Sequence, residues 1–361
     1  MGCSDNEIAA ASLCALPGAT AQRLNQLWRI WGSATNALKA VREGETDYKR
    51  WEIFKDPRAW PRRAEPEIIA ATMLRRGTRV LLPDDADWPD TAGLDDPPAL
   101  LFAEGNRFEA LHTHAVSIVG TRAASPHGLA DAYELATLCA KNGVTVVSGL
   151  AIGIDAAAHR GAIDSEGVTV GVVATGVDVT YPRRHVELFA RVRDNGLVIG
   201  EYAFGTGPEQ WRFPVRNRII ATLAGTCVVV EATHSGGALS TAKRALDLNR
   251  AVLAMPGSRR NPAAAGTNAL LRDGATMLLE PRDLFLAIDT AAAVSTPWAI
   301  QHRVPLSPNA QRILDGLAGD AANVDQLISA TGLEPAGVAA ALRELERCGR
   351  VERKHGKFWP R

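Results

Sequence analysis

A run of small residues between a predicted strand and a predicted helix could bind an anion. The apolar segment 144–147 leads into Ser148 and Gly149, and an alanine-rich helix is predicted to begin near Asp155. Glycine permits a tight turn, and the first N–H groups of a helix have no partner inside it, so a phosphate could bind there. Such turns also serve only to pack a strand on a helix, so this segment alone leaves both interpretations open.

Two arginines lie close together in segment 213–218, whose sequence is FPVRNR. Its proline favours the first turn of a helix, which places Arg216 and Arg218 near the positive end of the helix dipole. Cations are unfavourable there unless an anion offsets them, and guanidinium groups suit phosphate. The motif therefore indicates phosphate contact. An arginine pair bound to Glu201 or Glu231 at the sheet edge is the alternative.

Two further glycine turns carry cations in the same zone. Gly120 and Arg122 follow the predicted strand 116–119, and segment 235–243 (SGGALSTAK) ends with Lys243 on the first turns of the next helix. Glycine lets a ligand approach the backbone closely. The convergence of these turns predicts a groove for a polyanion, and the segments lack the Gly-Lys-Ser/Thr pattern of a nucleotide-binding P-loop.

Other polar groups are open to both functional and structural interpretations. Asp155 and His159 are four residues apart on one helix face, as in a carboxylate that orients a general base or in part of a metal site. The alternative is an Asp near a helix N-terminus that hydrogen-bonds a structural His. Tyr181, beside Arg183 and Arg184, could stack on a base and hold a phosphate, or simply plug a loop.

The elements that position these residues alternate regularly between strands and helices. Strands are predicted at 116–119, 144–147, 169–174, 197–201, 227–231, 251–255 and 276–279. Their nearly continuous Val and Ile content indicates strands covered on both faces, as in a parallel sheet. Such a sheet binds ligands beyond the carboxyl ends of its strands. The fold class expected is therefore α/β, with a doubly wound, mostly parallel, Rossmann-like sheet.

The pattern along the chain predicts four regions. Residues 1–95 form a small helical domain, in which a turn at 15–19 enters an amphipathic helix, and residues 96–288 form the sheet core. Residues 289–308 form a linker rich in Thr, Ala and Pro, and residues 309–361 have the helix and hairpin layout of a winged helix.

Composition excludes some classes of protein and leaves others open. Hydrophobic residues make up 46% of the chain, the formal net charge is zero, and the five cysteines show no Cys-x-x-Cys spacing. Scattered thiols suit a reducing cytoplasm. No segment approaches the roughly 20 apolar residues of a membrane span, and no secretory signal is evident. A nucleic-acid partner would therefore require a local basic patch.

Taken together, these segments resemble the DNA processing protein A (DprA/Smf) family over roughly residues 80 to 280. The matching segments are 118–122, 148–159, 176–182, 213–220, 230–232, 241–242, 255–257, 266–268 and 273–275. The resemblance implies a core that binds and protects incoming single-stranded DNA, forms a homodimer and loads RecA recombinase onto the strand during transformation and recombination. It implies neither catalytic residues nor a metal or cofactor.

The resemblance and the motifs together predict a DNA-binding set. Its members are Gly120, Arg122, Ser148, Gly149, Arg216, Asn217, Arg218, Gly237, Thr241 and Lys243. One segment departs from the family pattern, because segment 236–239 reads Gly-Gly-Ala-Leu where similar members have Ser-Gly-Ser-Leu. Backbone N–H groups would therefore have to replace two hydroxyl donors.

Two other functions fit parts of the chain. A nucleotide hydrolase of the phosphoribohydrolase type would use Glu201 or Glu231 as acid or base, but its Pro-Gly-Gly-x-Gly-Thr signature is absent, since Pro256-Gly257 precedes Ser258. A duplex-DNA regulator would rest on the winged helix alone. The last twenty residues of that segment carry seven Arg or Lys against three Glu.

Overall fold

A nine-stranded mixed sheet forms the centre of the larger of two compact units. The computed structural model describes residues 3–45, 56, 59–91, 93–295, 306–317, 322–347, 351–354 and 356–360. Residues 1–291 form the unit that holds the sheet, and residues 292–361 form the other. Within the described ranges, no helix is long and apolar enough to cross a membrane.

The strands of the large sheet fall into a parallel block and an antiparallel edge. The parallel block comprises β3 (Ala115–Val119), β4 (Thr145–Ser148), β5 (Thr169–Gly176), β6 (Gly196–Tyr202), β7 (Thr226–Val229), β8 (Ala251–Ala254) and β9 (Thr276–Met277). The antiparallel edge comprises β1 (Arg79–Leu81) and β2 (Leu101–Gly105), with β2 paired to β6.

The helices of this unit flank the sheet. They are α1 (Asp5–Cys14), α2 (Ala21–Trp31), α3 (Ala34–Glu43), α4 (Pro66–Arg76), α5 (Pro126–Lys141), α6 (Ile154–Asp164), α7 (Val186–Asn195), α8 (Arg212–Thr222), α9 (Gly237–Asp247), α10 (Ala265–Arg272) and α11 (Pro281–Ser295). Short 3-10 turns occur at Arg62–Ala64, Phe108–Leu111, Arg183–His185 and Pro262–Ala264.

The strand order creates a switch point beside β3. The order is β1-β2-β6-β5-β4-β3-β7-β8-β9, so the chain runs outward from β3 through β4, β5 and β6 and then returns to β7 on the other side of β3. The connections from β3 and β7 therefore leave the sheet in opposite directions, which opens a crevice at the carboxyl ends of the strands. The α/β, doubly wound, mostly parallel fold predicted from the sequence is confirmed.

The core has a hydrophobic cluster on each face of β3. Ala115 and Val119 belong to the cluster that contains residues of α8 and α9, and Val116 and Ile118 belong to the cluster that contains residues of α5, α6 and α11. All five residues of β3 are buried. This two-sided burial is the reason that the strand reads as a continuous apolar run in the sequence.

The N-terminal helices share a hydrophobic cluster with the sheet. Leu13 of α1 and Leu24 of α2 lie in the same cluster as Phe102 of β2 and Phe189 of α7. The predicted helix after the turn at 15–19 is α2, and the side chain of Thr20 caps its N-terminus. The boundary at residue 95 between a helical domain and the core stays a prediction.

The second unit has the predicted winged-helix layout. Three helices, α12 (Pro308–Leu317), α13 (Val324–Thr331) and α14 (Pro335–Arg347), precede an antiparallel hairpin of β10 (Val351–Lys354) and β11 (Lys357–Pro360). Ile313, Leu327, Leu342 and Phe358 contribute to its separate core. In the segment predicted as a linker, residues 289–295 belong to α11, and residues 296–305 lie outside the described residues.

Candidate nucleic-acid interface

A crevice of about 520 Å³ lies at the switch point of the sheet. Its walls come from the loops that follow β3 and β7, from the first turns of α6 and α9, and from α8. Six of the ten predicted site residues line it: Gly120, Arg122, Arg216, Asn217, Gly237 and Thr241. The lining comes from five separate chain segments, and the turn after β4 contributes Ala151 rather than Ser148 or Gly149.

The rim of the crevice presents a cation stacked on aromatic rings. The guanidinium carbon of Arg122, an exposed residue, lies 5.0 Å from the ring centroid of Phe213. The Phe213 ring lies 5.7 Å from that of Tyr181, which is 40% exposed and also lines the crevice. A guanidinium over an aromatic face is held in one orientation while its remaining N–H groups stay available to a ligand.

Close backbone packing positions Arg122. The Thr121 N–H donates to the carbonyl of Glu231 at 2.7 Å, which fixes the loop after β3 against the loop after β7. A side chain on Gly120 would collide with Ile154 and would lie 2.8 Å from the Glu231 carbonyl oxygen. Only glycine fits there, and the tight turn delivers Arg122 to the rim.

Arg216 lies beneath the crevice and is buried. It donates from Nη1 to the carbonyl of Gly149 at 2.9 Å and to that of Val172, and from Nε to Asn217 Oδ1 at 3.3 Å. Burial lowers the pKa of the Arg216 guanidinium to about 10, and Asp155 partly offsets that effect. Arg216 therefore remains charged at neutral pH and ties α8 to the end of β4 and to the middle of β5.

Asp155 and His159 do not form the pair considered from their spacing. Asp155 Oδ2 accepts from the Gly149 N–H at 3.1 Å and from the Ala151 N–H at 3.4 Å, so it braces the turn after β4. His159 Nδ1 lies 2.7 Å from Thr169 Oγ1. The two side chains share a helix and are both buried, but each has its own structural partner. The proposed Asp–His hydrogen bond was therefore wrong.

The first turn of α9 supplies backbone donors to the crevice. Gly236 is its N-cap, and no side chain of the described residues caps it. Asn217 Nδ2 donates to the Gly237 carbonyl at 3.2 Å, and this contact joins α8 to α9. Thr241 lies one turn further along α9 and is buried. An uncapped helix N-terminus can bind an anion through its N–H groups.

The other four predicted site residues lie outside the crevice lining. Ser148 is fully buried, and its Oγ donates to the Ile118 carbonyl at 2.7 Å. A side chain on Gly149 would lie 2.6 Å from Arg216 and 2.7 Å from Asp155, so this glycine makes room for both charged groups. Lys243 is exposed on α9. Their contact with DNA stays a prediction.

Arg218 faces a different cavity. It follows Arg216 by two residues on α8, a rotation of about 200°, so the two side chains leave opposite faces of the helix. Arg218 Nη2 lies 2.7 Å from Glu201 Oε1 and 3.8 Å from Asp96 Oδ2. The alternative in which an arginine binds Glu201 therefore describes Arg218, whereas Arg216 bonds mainly to backbone carbonyls.

The carboxylates considered for a hydrolase have structural partners. Glu231 accepts from the Ser125 N–H at 2.8 Å and from Ser125 Oγ at 2.6 Å, at the start of α5. Burial raises the pKa of Glu201, and Arg218 opposes this rise. The two carboxylates do not face a common space. Glu201 borders the cavity that Arg218 faces, and Glu231 does not.

Sequence reasoning did not single out Phe213 and Gln210, which both line the crevice. Phe213 stands directly before Pro214 in the FPVRNR segment. The signal in the sequence was Arg122, which has no carboxylate close to it along the chain and could therefore be expected to contact an aromatic ring. Gln210 precedes α8, and the sequence carries no signal for it.

Comparisons with known proteins identify relatives of this chain. A family model described as DNA recombination-mediator protein A matches residues 79–289, and one described as the DprA winged helix domain matches residues 300–357. The putative DNA processing protein DprA of Mycobacterium tuberculosis (strain H37Rv) is 38% identical over 302 residues, covering 79% of this chain and 78% of the relative. Protein Smf of Synechocystis is 31% identical over 322 residues, covering 80% and 81%.

Solved structures give the same result. DprA from Streptococcus pneumoniae superposes with a TM-score of 0.63 at 29% identity, covering 79% of this chain and 98% of that one. DNA processing protein A from Helicobacter pylori, for which a single-stranded DNA binding mode is described, gives a TM-score of 0.52 at 28% identity, covering 57% and 94%. The chain therefore belongs to the DNA recombination-mediator protein A family, DprA.

Proposed function

We propose that this protein binds single-stranded DNA in the crevice at the switch point of the sheet. The observation that carries the proposal is the exposed Arg122 guanidinium stacked on Phe213 beside Tyr181, opposite the uncapped N-terminus of α9. This arrangement supplies a cation for a phosphate and aromatic rings for the bases. Both contacts suit a single strand and depend little on its sequence. The Helicobacter pylori relative is described as binding single-stranded DNA.

Each part of the crevice has a separate task in this proposal. Arg122 contacts a backbone phosphate, and the N–H groups at the start of α9 contact a second oxygen, in place of the two hydroxyls that segment 236–239 lacks. Tyr181 stacks on a base. Arg216 is engaged with carbonyls, so it holds α8 in place and adds positive potential from below. The proposal is binding without turnover, and the carboxylates nearest the crevice fit it, since Asp155 accepts from backbone N–H groups and Glu231 accepts from Ser125.

An anisotropy titration of labelled oligo-dT across a salt series tests the proposal. We expect Arg122→Ala to weaken binding about tenfold, since a charge-assisted contact is lost, and to reduce the salt slope by about 1. Arg272→Ala, which removes an exposed arginine of α10 outside the crevice lining, is the matched control and should bind as the parent does. Unchanged affinity and slope for Arg122→Ala would sink the proposal.

The homodimer is proposed through the β9 edge of the sheet. Met277 on β9, Leu279 after it and Leu286 on α11 are large apolar residues with 47%, 67% and 63% exposure. Apolar exposure of this kind at a sheet edge suits a second copy of the chain. Sedimentation should show a dimer for the parent and a monomer for Leu279→Asp. A Leu279→Asp variant that stays dimeric would place the interface elsewhere.

Loading of RecA recombinase onto bound DNA is proposed from family membership. In this proposal the protein and RecA act on the strand in the cytoplasm. The scattered free thiols suit that reducing compartment. The test is the rate of RecA filament formation on oligo-dT that is already coated with a single-strand-binding protein. We expect the full chain to raise that rate and Arg122→Ala to raise it less. An equal rate with and without the protein would remove this step from the proposal.

A further inference from the structure

A second cavity of about 500 Å³ lies on the opposite side of α8 from the crevice. Its walls are the turn at 15–19, the end of β6 and the face of α8 that carries Trp211, Val215 and Arg218. The proposed DNA-binding function does not use it. The residues that lead into α8 border both spaces, because Gln210 lines the crevice and Trp211, the N-cap, lines the second cavity.

The polar groups of this cavity are incompletely paired. Arg218, whose side chain is 5% exposed, uses Nη2 on Glu201, but its Nε and Nη1 have no hydrogen-bond partner among the described residues. The same holds for Glu201 Oε2 and for the Tyr202 hydroxyl. Arg212 Nε, on another lining residue, is a fifth such atom. Buried polar atoms are normally satisfied, so five unpartnered atoms beside one cavity need an explanation.

A ligand for these atoms must both donate and accept. Glu201 Oε2 needs a donor, while Arg218 Nε and Nη1 need an acceptor. Glu201, Tyr202 and Arg218 line the cavity, although their unpartnered atoms are themselves buried. The terminal carboxylate torsion of a glutamate is soft, so ligand binding requires a rotation that brings Oε2 to the cavity surface. An N–H beside a C=O would satisfy both side chains without breaking their ion pair.

The walls favour a flat, uncharged ligand. The Tyr202 and Trp211 rings are 6.3 Å apart, and the Arg212 guanidinium lies 5.2 Å and 5.0 Å from their centroids. Ala15, Leu16 and Leu24 add apolar surface. A zwitterionic amino acid would carry two more charges into a site that already holds an ion pair, and desolvating them is costly. A nucleobase brings the same donor and acceptor without charge.

We propose that this cavity binds a nucleobase with a lactam edge, such as thymine or guanine, whose ring N–H donates to Glu201 and whose C=O accepts from Arg218. Trp211 and Tyr202, whose rings are perpendicular to each other, border the base on one side. The base belongs either to a free nucleoside or to a strand that passes over the start of α8 from the crevice. The chemistry of recognition is the same for both sources.

Saturation-transfer NMR on the full chain tests the free nucleoside. The ligands are thymidine, guanosine, N3-methylthymidine, which has lost the N–H, and cytidine, a pyrimidine of similar size without that N–H. We expect thymidine and guanosine to bind about tenfold or more tightly than the other two, the value of one hydrogen bond to a charged group. Phenylalanine tests a zwitterionic ligand, and preferential binding of it would overturn the proposal.

Oligonucleotides test the base of a strand. Oligo-dT and the same oligomer built from N3-methylthymidine are compared by anisotropy. If oligo-dT binds more tightly than its N3-methyl analogue and free nucleosides do not bind, the base is held in a strand. If both the oligomers and the free nucleosides show a preference for the N–H, the cavity is a nucleoside site. Equal binding with and without the N–H in both formats overturns the proposal.

Two variants locate the effect. Glu201→Met keeps the length of the side chain but removes both acceptor oxygens, so it should lose the preference for the N–H, whereas a preference that persists in a folded variant places the base elsewhere. Arg122→Ala should lower affinity for every oligonucleotide and keep the preference. If Arg122→Ala binds oligonucleotides normally while the preference persists, the crevice proposal fails and this one stands.

Discussion

Burial separates the residues that can reach a ligand from those that hold the crevice in shape. Arg122 is exposed at the rim, Arg216 bonds to backbone carbonyls beneath it, and Arg218 is paired with Glu201 on the other side of α8. These three arginines look equivalent in the sequence. Their different surroundings follow from a rotation of about 100° per helical residue and from the turn that carries Arg122.

His159 gives a prediction about acid stability. Burial lowers its pKa from the usual 6.5 to about 3, so between these values the unfolded chain binds a proton that the folded chain does not. Stability is therefore lost as the pH falls from 6.5 towards 3, and this residue contributes about 1.4 kcal/mol per pH unit. Urea unfolding at pH 5.5 and 7 should show a smaller loss for His159→Asn than for the parent.

The control for His159 is an exposed histidine. His112→Asn changes the same residue type at an exposed position and should keep the parental pH dependence. If His159→Asn loses as much stability as the parent between pH 7 and 5.5, the proton is taken up elsewhere. His185 is the next candidate, since burial also lowers its pKa.

The residue types of the site could be predicted from the sequence, but their placement could not be predicted completely. Six predicted residues line the crevice because each lies just after a strand end or in the first two turns of a helix, and these positions are set by local pattern. Arg218 was assigned to the crevice although residues two apart on a helix do not share a face. Phe213 was not singled out because its role depends on Arg122, a residue distant in sequence.

At the level of elements, the parallel strands were predictable and the antiparallel edge was not. Strands β3 to β9 are apolar runs flanked by turn residues, which is a strong signal. β1 has only three residues, and β2 gains its partners from β6, far along the chain. Their pairing depends on long-range contacts, although the apolar run at 99–103 could have suggested β2.

The contact between α5 and α6 gives a prediction at this scale. A side chain on Gly161 would collide with the carbonyl oxygen of Tyr133 and lie 2.9 Å from its carbon, and this obstacle is backbone. Gly161→Ala should gain about 1 kcal/mol in helix propensity, but the collision that separates the helices costs up to about 3 kcal/mol. The expected net loss of stability is therefore up to about 2 kcal/mol. Chemical denaturation measures the difference.

An open glycine provides the comparison for Gly161. No atom lies within 4 Å of a side chain added to Gly207, so Gly207→Ala should change the unfolding free energy by less than about 0.5 kcal/mol. Equal stability of the two variants would mean that α5 and α6 can move apart without cost.

At the scale of the whole molecule, the crevice and the second cavity are formed entirely within residues 1–291. The hydrophobic clusters of the described residues separate in the same way, since Ile313, Leu342 and Phe358 belong to a core of their own. The winged helix is therefore not required to build either space. What it adds to DNA binding is a separate question, since a winged helix can contact duplex DNA or another protein.

A chain that ends at residue 295 answers that question. Because the crevice keeps all its walls, we expect this fragment to unfold cooperatively and to bind oligo-dT within about threefold of the full chain. Its affinity for a matched duplex, measured by the same anisotropy titration, then isolates the second unit. A fall for duplex alone assigns duplex contact to the winged helix, and unchanged duplex binding favours a protein contact. A loss of oligo-dT binding beyond about tenfold in a folded fragment would mean that the crevice alone does not hold the strand.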